Sequence, residues 1–192
     1  MTEQSRCPWP ANDPLMIRYH DEEWGTPVHD DLTHFEYLVL DAFQAGLSWK
    51  TVLHKRENFR SAFDGFDPVA IAEYGAEDVD RLMANAGIIR NRQKILATIG
   101  NARLFLEVAD EYGSFDAYIW QFTGGITIVN RHSSLSELPA RSRESDMMSK
   151  ALKDRGFKFA GSTICYAYMQ AAGMVNDHLG SCYRWSACCP DQ

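Results

Sequence analysis

Four soft-metal donors lie near the two ends of the chain: Cys7 and His20 at the start, His178 and Cys182 at the finish. Thiolate and neutral imidazole suit zinc, and four protein ligands make a closed tetrahedral site with no open position for chemistry. Such a metal would be a clasp. His178 and Cys182 are four apart, a spacing that one helical turn would aim at a single ion, whereas Cys7 and His20 are too far apart for local geometry to pair them. The spacing leaves a second reading open, an ordinary buried thiol beside unrelated histidines. His20-Asp21-Glu22 also matches the H-x-E half of a zinc deaminase, with Glu22 as proton shuttle, but the P-C-x-x-C half is missing. Neither H-E-x-x-H nor a phosphate-cradling glycine pattern occurs.

A second group consists of Trp9, Tyr19, Trp24 and Trp49 with Asp41 between them in sequence. Rings alone are usually core residues. A carboxylate on an otherwise apolar helix face is not, because burying an unpaired charge is costly. Flat rings with one acceptor suit a nucleobase pocket, in which an extruded base is held by stacking and read along its polar edge.

Helices must position these groups. Between Thr33 and Gly46 the residues Phe35, Leu38, Val39, Ala42 and Phe43 follow helical spacing. A second helix is predicted from the Ser48-Trp49 corner toward Phe63, and Asp67-Pro68 reads as an N-cap with proline at the first helical position. Ala76 to Met83 is an acid-started helix that halts at Ala86-Gly87, and Arg90 to Val108 has long helical periodicity. That is helix, tight turn, helix, with Gly87 reversing the chain and exposing backbone amides to a phosphate. Phe115 to Phe122, Asp146 to Lys153 and Ser162 to Ala172 read as further helices, and Gly124 to Ile128 is the one β-like run. The class is all-α, and 192 residues suffice for a single domain.

The formal net charge of -7 argues against indiscriminate polyanion binding. The charge is uneven, however. Arg81, Arg90, Arg92, Lys94 and Arg103 fall in a stretch without acids, and 50–60 and 150–158 are also mainly basic, which invites a polyanion partner. Five cysteines, two of them adjacent, make a secreted disulfide framework a poor fit. No apolar run approaches the roughly twenty residues that span a bilayer. A soluble, cytoplasmic protein without a membrane partner is expected.

Several ordered blocks then carry a resemblance. They are Cys7-x-Trp9, Asn12-Asp13-Pro14-Leu15, Tyr19-His20-Asp21-x-Glu23-Trp24-Gly25, Gln44-Ala45-Gly46-Leu47-Ser48-Trp49, Lys55-Arg56-Glu57-Asn58-Phe59-Arg60, Ala86-Gly87-Ile88-Ile89-Arg90, Gly156-Phe157-Lys158-Phe159 and Val175-Asn176-Asp177-His178. Together they span almost the whole chain, which resembles the 3-methyladenine DNA glycosylase I family of the helix-hairpin-helix superfamily.

The resemblance implies one glycosylase domain over 1–192, with 1–30 and 174–192 forming a lobe stapled by structural zinc on Cys7, His20, His178 and Cys182. It implies a base pocket of Tyr19, Trp49, Trp9 and Trp24, with Met16 where the family often has tyrosine and Asp41 where it normally has glutamate. Asp41 is then the catalytic carboxylate, matching the family's residue in charge but one methylene short in reach. Leu47 is placed to fill the gap left by a flipped base, and Gly87, Arg90, Arg92 and Lys94 to grip DNA. The implied partners are double-stranded alkylated DNA and the released 3-methyladenine, acted on by a monomer. A non-catalytic damage-binding protein is the alternative, given the changes at Asp41 and Met16.

Overall fold

The computed structural model describes residues 5–189. Helices α1 (Pro14–Glu22), α2 (Asp31–Gln44), α3 (Trp49–Leu53), α4 (Arg56–Ala62), α5 (Pro68–Ala72), α6 (Ala76–Ala84), α7 (Arg92–Tyr112) and α8 (Phe115–Ile119) follow in order. Strand β1 (Ile128–Val129), α9 (Arg143–Asp154), α10 (Ser162–Ala171), β2 (Val175–Asn176) and α11 (Tyr183–Ala187) complete the fold. The all-α expectation holds, apart from one small parallel pairing of Ile128 with Val175 and Val129 with Asn176. No helix among the described residues is long and apolar enough to cross a membrane.

Local chemistry sets the boundaries. Asp13 caps α1 by accepting from the amides of Leu15 and Met16 at 3.0 and 3.1 Å, with Pro14 at the first position. This helix repeats the Asp-Pro signal read at Asp67-Pro68, which caps α5 as expected. Gly173 ends α10 at φ +66°, and a Cβ there would sit 2.2 Å from the Thr26 carbonyl carbon. Only glycine allows that crossing.

α2 is buried on nearly every side, with Phe35, Leu40 and Phe43 fully inaccessible. It is therefore a central helix and not merely a core-facing one. Phe43 packs edge-on to Phe59, and Phe105 stacks on Phe115 at 4.1 Å, within one large apolar cluster drawn from α2 through α10. A second cluster gathers Cys7, Met16, Tyr19, Trp24, Leu53, Leu179 and Cys182, so the two ends of the chain meet there. Tyr183 N–H donates to Ser5 O across the same junction.

Several elements differ from expectation. The segment 48–63 is two helices, α3 and α4, separated by a turn at His54-Lys55. The β-like run begins at Ile128, since Gly124 and Gly125 have positive φ and form a turn. α1 has no counterpart in the sequence reading, although its capping signal was available.

Candidate active site and ligand cluster

A cavity of about 260 Å³ opens between α1, α2, α10 and the 135–138 turn. Trp9, Met16, Tyr19, Trp24, Asp41 and Trp49 all line it, as the sequence reading grouped them. Tyr19 and Trp49 lie 5.0 Å apart between ring centroids at 47°, and Trp9 meets Trp24 edge-on at 5.2 Å. The arrangement is set by capping and ion pairing. Asp13, besides capping α1, takes Lys50 of α3 at 2.9 Å and His54, just past the end of α3, at 2.8 Å, which fixes the Trp49 helix against the Tyr19 helix. Arg56 of α4 bridges Glu23 at the end of α1 to Glu36 of α2, and Tyr37 donates to the same Glu23.

Asp41 is 2% exposed and its Oδ2 has no hydrogen-bond partner. Burial pushes its carboxyl well above the usual carboxylate range. The indole N–H groups of Trp9 and Trp49 are likewise buried without acceptors. Native interiors pair almost all such atoms, so three orphans on the lining of one cavity describe a place for a polar, flat ligand. The sequence reading did not find the other walls: Gln44 of α2, Leu135 and Leu138 of the turn, Ala167 and Gln170 of α10. The α10 pair is three apart on one helical face, but nothing in the sequence says which cavity that face meets.

Cys7, His20, His178 and Cys182 converge, all buried, with one donor atom from each within 4.8 Å of the others. His178 Nδ1 is 3.2 Å from His20 Nε2 and 3.7 Å from both Cys7 Sγ and Cys182 Sγ. The remaining ring nitrogens are engaged outward, His20 Nδ1 with Asp21 at 2.7 Å and His178 Nε2 with the Trp24 carbonyl at 2.9 Å. Chemistry at the cluster is thereby confined to four inward donors. No helical turn aims His178 and Cys182. His178 leaves β2 and Cys182 precedes α11, with the Leu179 bridge to His132 and a turn between them. Glu22 is exposed and lines neither the cavity nor the cluster.

The proposed DNA-facing residues divide. Leu47 is 43% exposed at the corner before Trp49, and Arg90 and Arg92 are exposed beside the α6–α7 turn, Arg92 pairing with Asp80 at 3.3 Å. Lys94 does not join them. It is turned inward, donating to the carbonyls of Phe43 at 2.8 Å and Ala45 at 2.7 Å, where a cation satisfies the orphan C-terminal acceptors of α2. Gly87 differs as well. Its N–H is taken by Asn85 Oδ1 at 2.8 Å, and its φ is not positive. The site is tight for any larger residue, since a Cβ would meet Asn85 Oδ1 at 2.9 Å and the Asn58 side chain at 3.2 Å.

The model for the methyladenine glycosylase family matches residues 9–185 of the chain. The chain belongs to the methyladenine glycosylase family. DNA-3-methyladenine glycosylase 1 of Escherichia coli (strain K12) is 52% identical over 177 residues, covering 92% of this chain and 95% of that protein. DNA-3-methyladenine glycosylase of Haemophilus influenzae (strain ATCC 51907 / DSM 11121 / KW20 / Rd) is 46% identical, covering 93% and 96%. The solved structure of 3-methyladenine DNA glycosylase I from Staphylococcus aureus, which concerns 3-methyladenine recognition, superposes with a TM-score of 0.90 at 33% identity, covering 97% of both chains. The cavity gathers Trp9, Tyr19, Trp24 and Trp49 from the sequence blocks, with Asp41 on the same wall.

Proposed function

We propose that this chain is a DNA repair glycosylase that flips 3-methyladenine out of double-stranded alkylated DNA and hydrolyses its N-glycosidic bond. One observation carries the reading: Asp41, buried and unpaired, borders a cavity walled by Tyr19, Trp49, Trp9 and Trp24. Methylation at N3 makes the base cationic, which weakens the bond and lets the base leave neutral without a strong general acid. The task left to the protein is selection and positioning. Stacking holds the extruded ring. A cation restores the partner that Asp41 lacks, so the carboxyl is carried to its charged form by the substrate itself. Water attacks the sugar carbon.

α2 is central and holds Asp41 at the cavity wall. Leu47, exposed at its corner, fills the vacated step in the base stack. The α6–α7 turn acts as the hairpin of a helix-hairpin-helix element, gripping phosphates with exposed Arg90 and Arg92 in a salt-dependent, sequence-blind manner. The protein acts as a cytoplasmic monomer, and its five free thiols fit a reducing compartment.

The four-residue cluster fits a structural zinc. A tetrahedral ion bonded at about 2.0 Å to nitrogen and about 2.3 Å to sulfur holds its donors about 3.3–3.8 Å apart; four of the six donor pairs here lie at 3.2 to 3.7 Å, and all lie within 4.8 Å. Asp21 and the Trp24 carbonyl fix the tautomers that free His20 Nε2 and His178 Nδ1 for metal. Four protein donors close the site, so bound zinc supplies stability and no Lewis acid.

The deciding experiment is base release from duplex DNA treated with a methylating agent. Free 3-methyladenine in preference to 7-methylguanine is the expected product. Tight binding to that DNA without base release would overturn the glycosylase reading in favour of a non-catalytic damage-binding protein.

A further inference from the structure

Asp177 is 1% exposed and accepts four hydrogen bonds. Its Oδ1 takes Asn130 Nδ2 at 2.8 Å and His132 Nε2 at 3.1 Å, while its Oδ2 takes the Tyr166 hydroxyl and Gln170 Nε2, both at 2.7 Å. A carboxylate accepts and does not donate, so it fixes which half of the Gln170 amide faces it. The nitrogen is held at Asp177. The carbonyl Oε1 is consequently the half turned away from Asp177, on a residue that lines the same cavity as Asp41. The backbone is held too, since Gly25 N–H donates to Gln170 O at 2.9 Å. Gln44, the other amide on the lining, has no side-chain hydrogen bond to the described residues and is free to present either half.

We propose that Gln170 is a specificity-determining residue whose locked carbonyl accepts a hydrogen bond from the exocyclic 6-amino group of an adenine-type lesion and disfavours the 6-oxo edge of a guanine-type one. The inference rests on the base-pocket reading above and divides the labour within it. Asp41 selects for positive charge, which 3-methyladenine and 3-methylguanine share. Charge therefore cannot separate them. An acceptor of fixed orientation can, because a 6-oxo group brought against Oε1 sets acceptor against acceptor and leaves both buried without a donor. Pre-orientation by Asp177 means that no rotamer freedom is lost when the amine binds.

The test is the affinity of free 3-methyladenine and free 3-methylguanine for the full, metal-loaded chain, compared for the wild type, Gln170→Met and Gln170→Lys. Methionine keeps the length and removes the amide. Lysine still offers Asp177 a donor but carries no carbonyl, so the two variants remove the acceptor in different ways. The wild type is expected to prefer the adenine base, and both variants to lose about tenfold or more of that preference, the equivalent of about 1.4 kcal/mol. An unchanged ratio in a variant with a native melting profile, or no preference in the wild type, would overturn the proposal. Failure of the glycosylase reading appears separately, as absence of base release from methylated DNA by the wild type.

Discussion

The indole of Trp24 packs edge-on against the imidazole of His178 with ring centroids 4.7 Å apart, while the Trp24 carbonyl accepts from His178 Nε2 at 2.9 Å. One residue thus lines the aromatic cavity and braces the ligand cluster. Trp9 does the same from the other side, 5.3 Å from the His20 ring. The cluster that joins the chain ends is in direct contact with the pocket wall, and this contact couples two sites that have separate chemistry.

Removing metal should therefore be visible at the pocket. The purified chain is expected to carry about one zinc per molecule by elemental analysis, in keeping with a closed four-ligand site. Chelation or Cys182→Ser should lower the unfolding temperature and shift the fluorescence of Trp9 and Trp24. A metal-free chain with unaltered stability and fluorescence would remove the structural role.

Asp41→Asn should stabilise the folded protein while impairing function. An acid whose folded-state pKa lies above its unfolded value keeps a proton that the unfolded chain, titrating near 3.9, has already lost. Through that interval the native state binds more protons, so wild-type stability falls as pH rises above about 4 and continues to fall until the raised folded-state value is passed. The asparagine variant lacks this loss. Denaturant titrations at pH 4 and pH 7 should show a gap opening in its favour at the higher pH. Excision of 3-methyladenine should drop by about tenfold to a hundredfold, as expected for losing a hydrogen bond to a charged group. Equal activity would take Asp41 out of the mechanism.

Trp49→Ala should weaken binding of free 3-methyladenine by about 1–3 kcal/mol, the usual value of a base-stacking ring. Trp49 is only half-buried, so the fold should survive. Calorimetric titration of the free base measures the effect without involving DNA.

Lys94 and Arg90 should separate cleanly. Lys94→Met leaves the Phe43 and Ala45 carbonyls without their donor and should cost about 1.5–3 kcal/mol of stability, with the salt dependence of DNA binding unchanged. Arg90→Ala should leave stability intact and reduce the slope of log affinity against log salt by about one. The reverse result would restore Lys94 to the DNA face.

Leu47→Ala should slow excision from duplex DNA yet leave affinity for the free base unaltered, since Leu47 is exposed at the corner and does not line the cavity. Comparing the two assays on one preparation checks this.

Residue type and order, through the blocks that carry the resemblance, were enough to place this protein among the methyladenine glycosylases. Donor type marks Cys7, His20, His178 and Cys182, a charge on an apolar helical face marks Asp41, and aspartate before proline marks the start of α5. These signals are local, or are fixed by the cost of placing one side chain in the wrong medium. Their meeting is not local. Residues 171 apart touch at the ligand cluster because the Tyr183 N–H bond to Ser5 O, the Leu179 N–H contact with Cys7 Sγ and the aromatic packing of α1 join the ends. The same limit explains Lys94, whose charge suggests solvent until α2 presents two unsatisfied carbonyls to it. It explains Gln170 too, a residue without distinction in sequence that becomes a fixed acceptor only where Asp177 holds its amide nitrogen. Sequence sets what each side chain can do, whereas long-range packing, through burial and the partners it supplies, decides which of those capacities face the ligand.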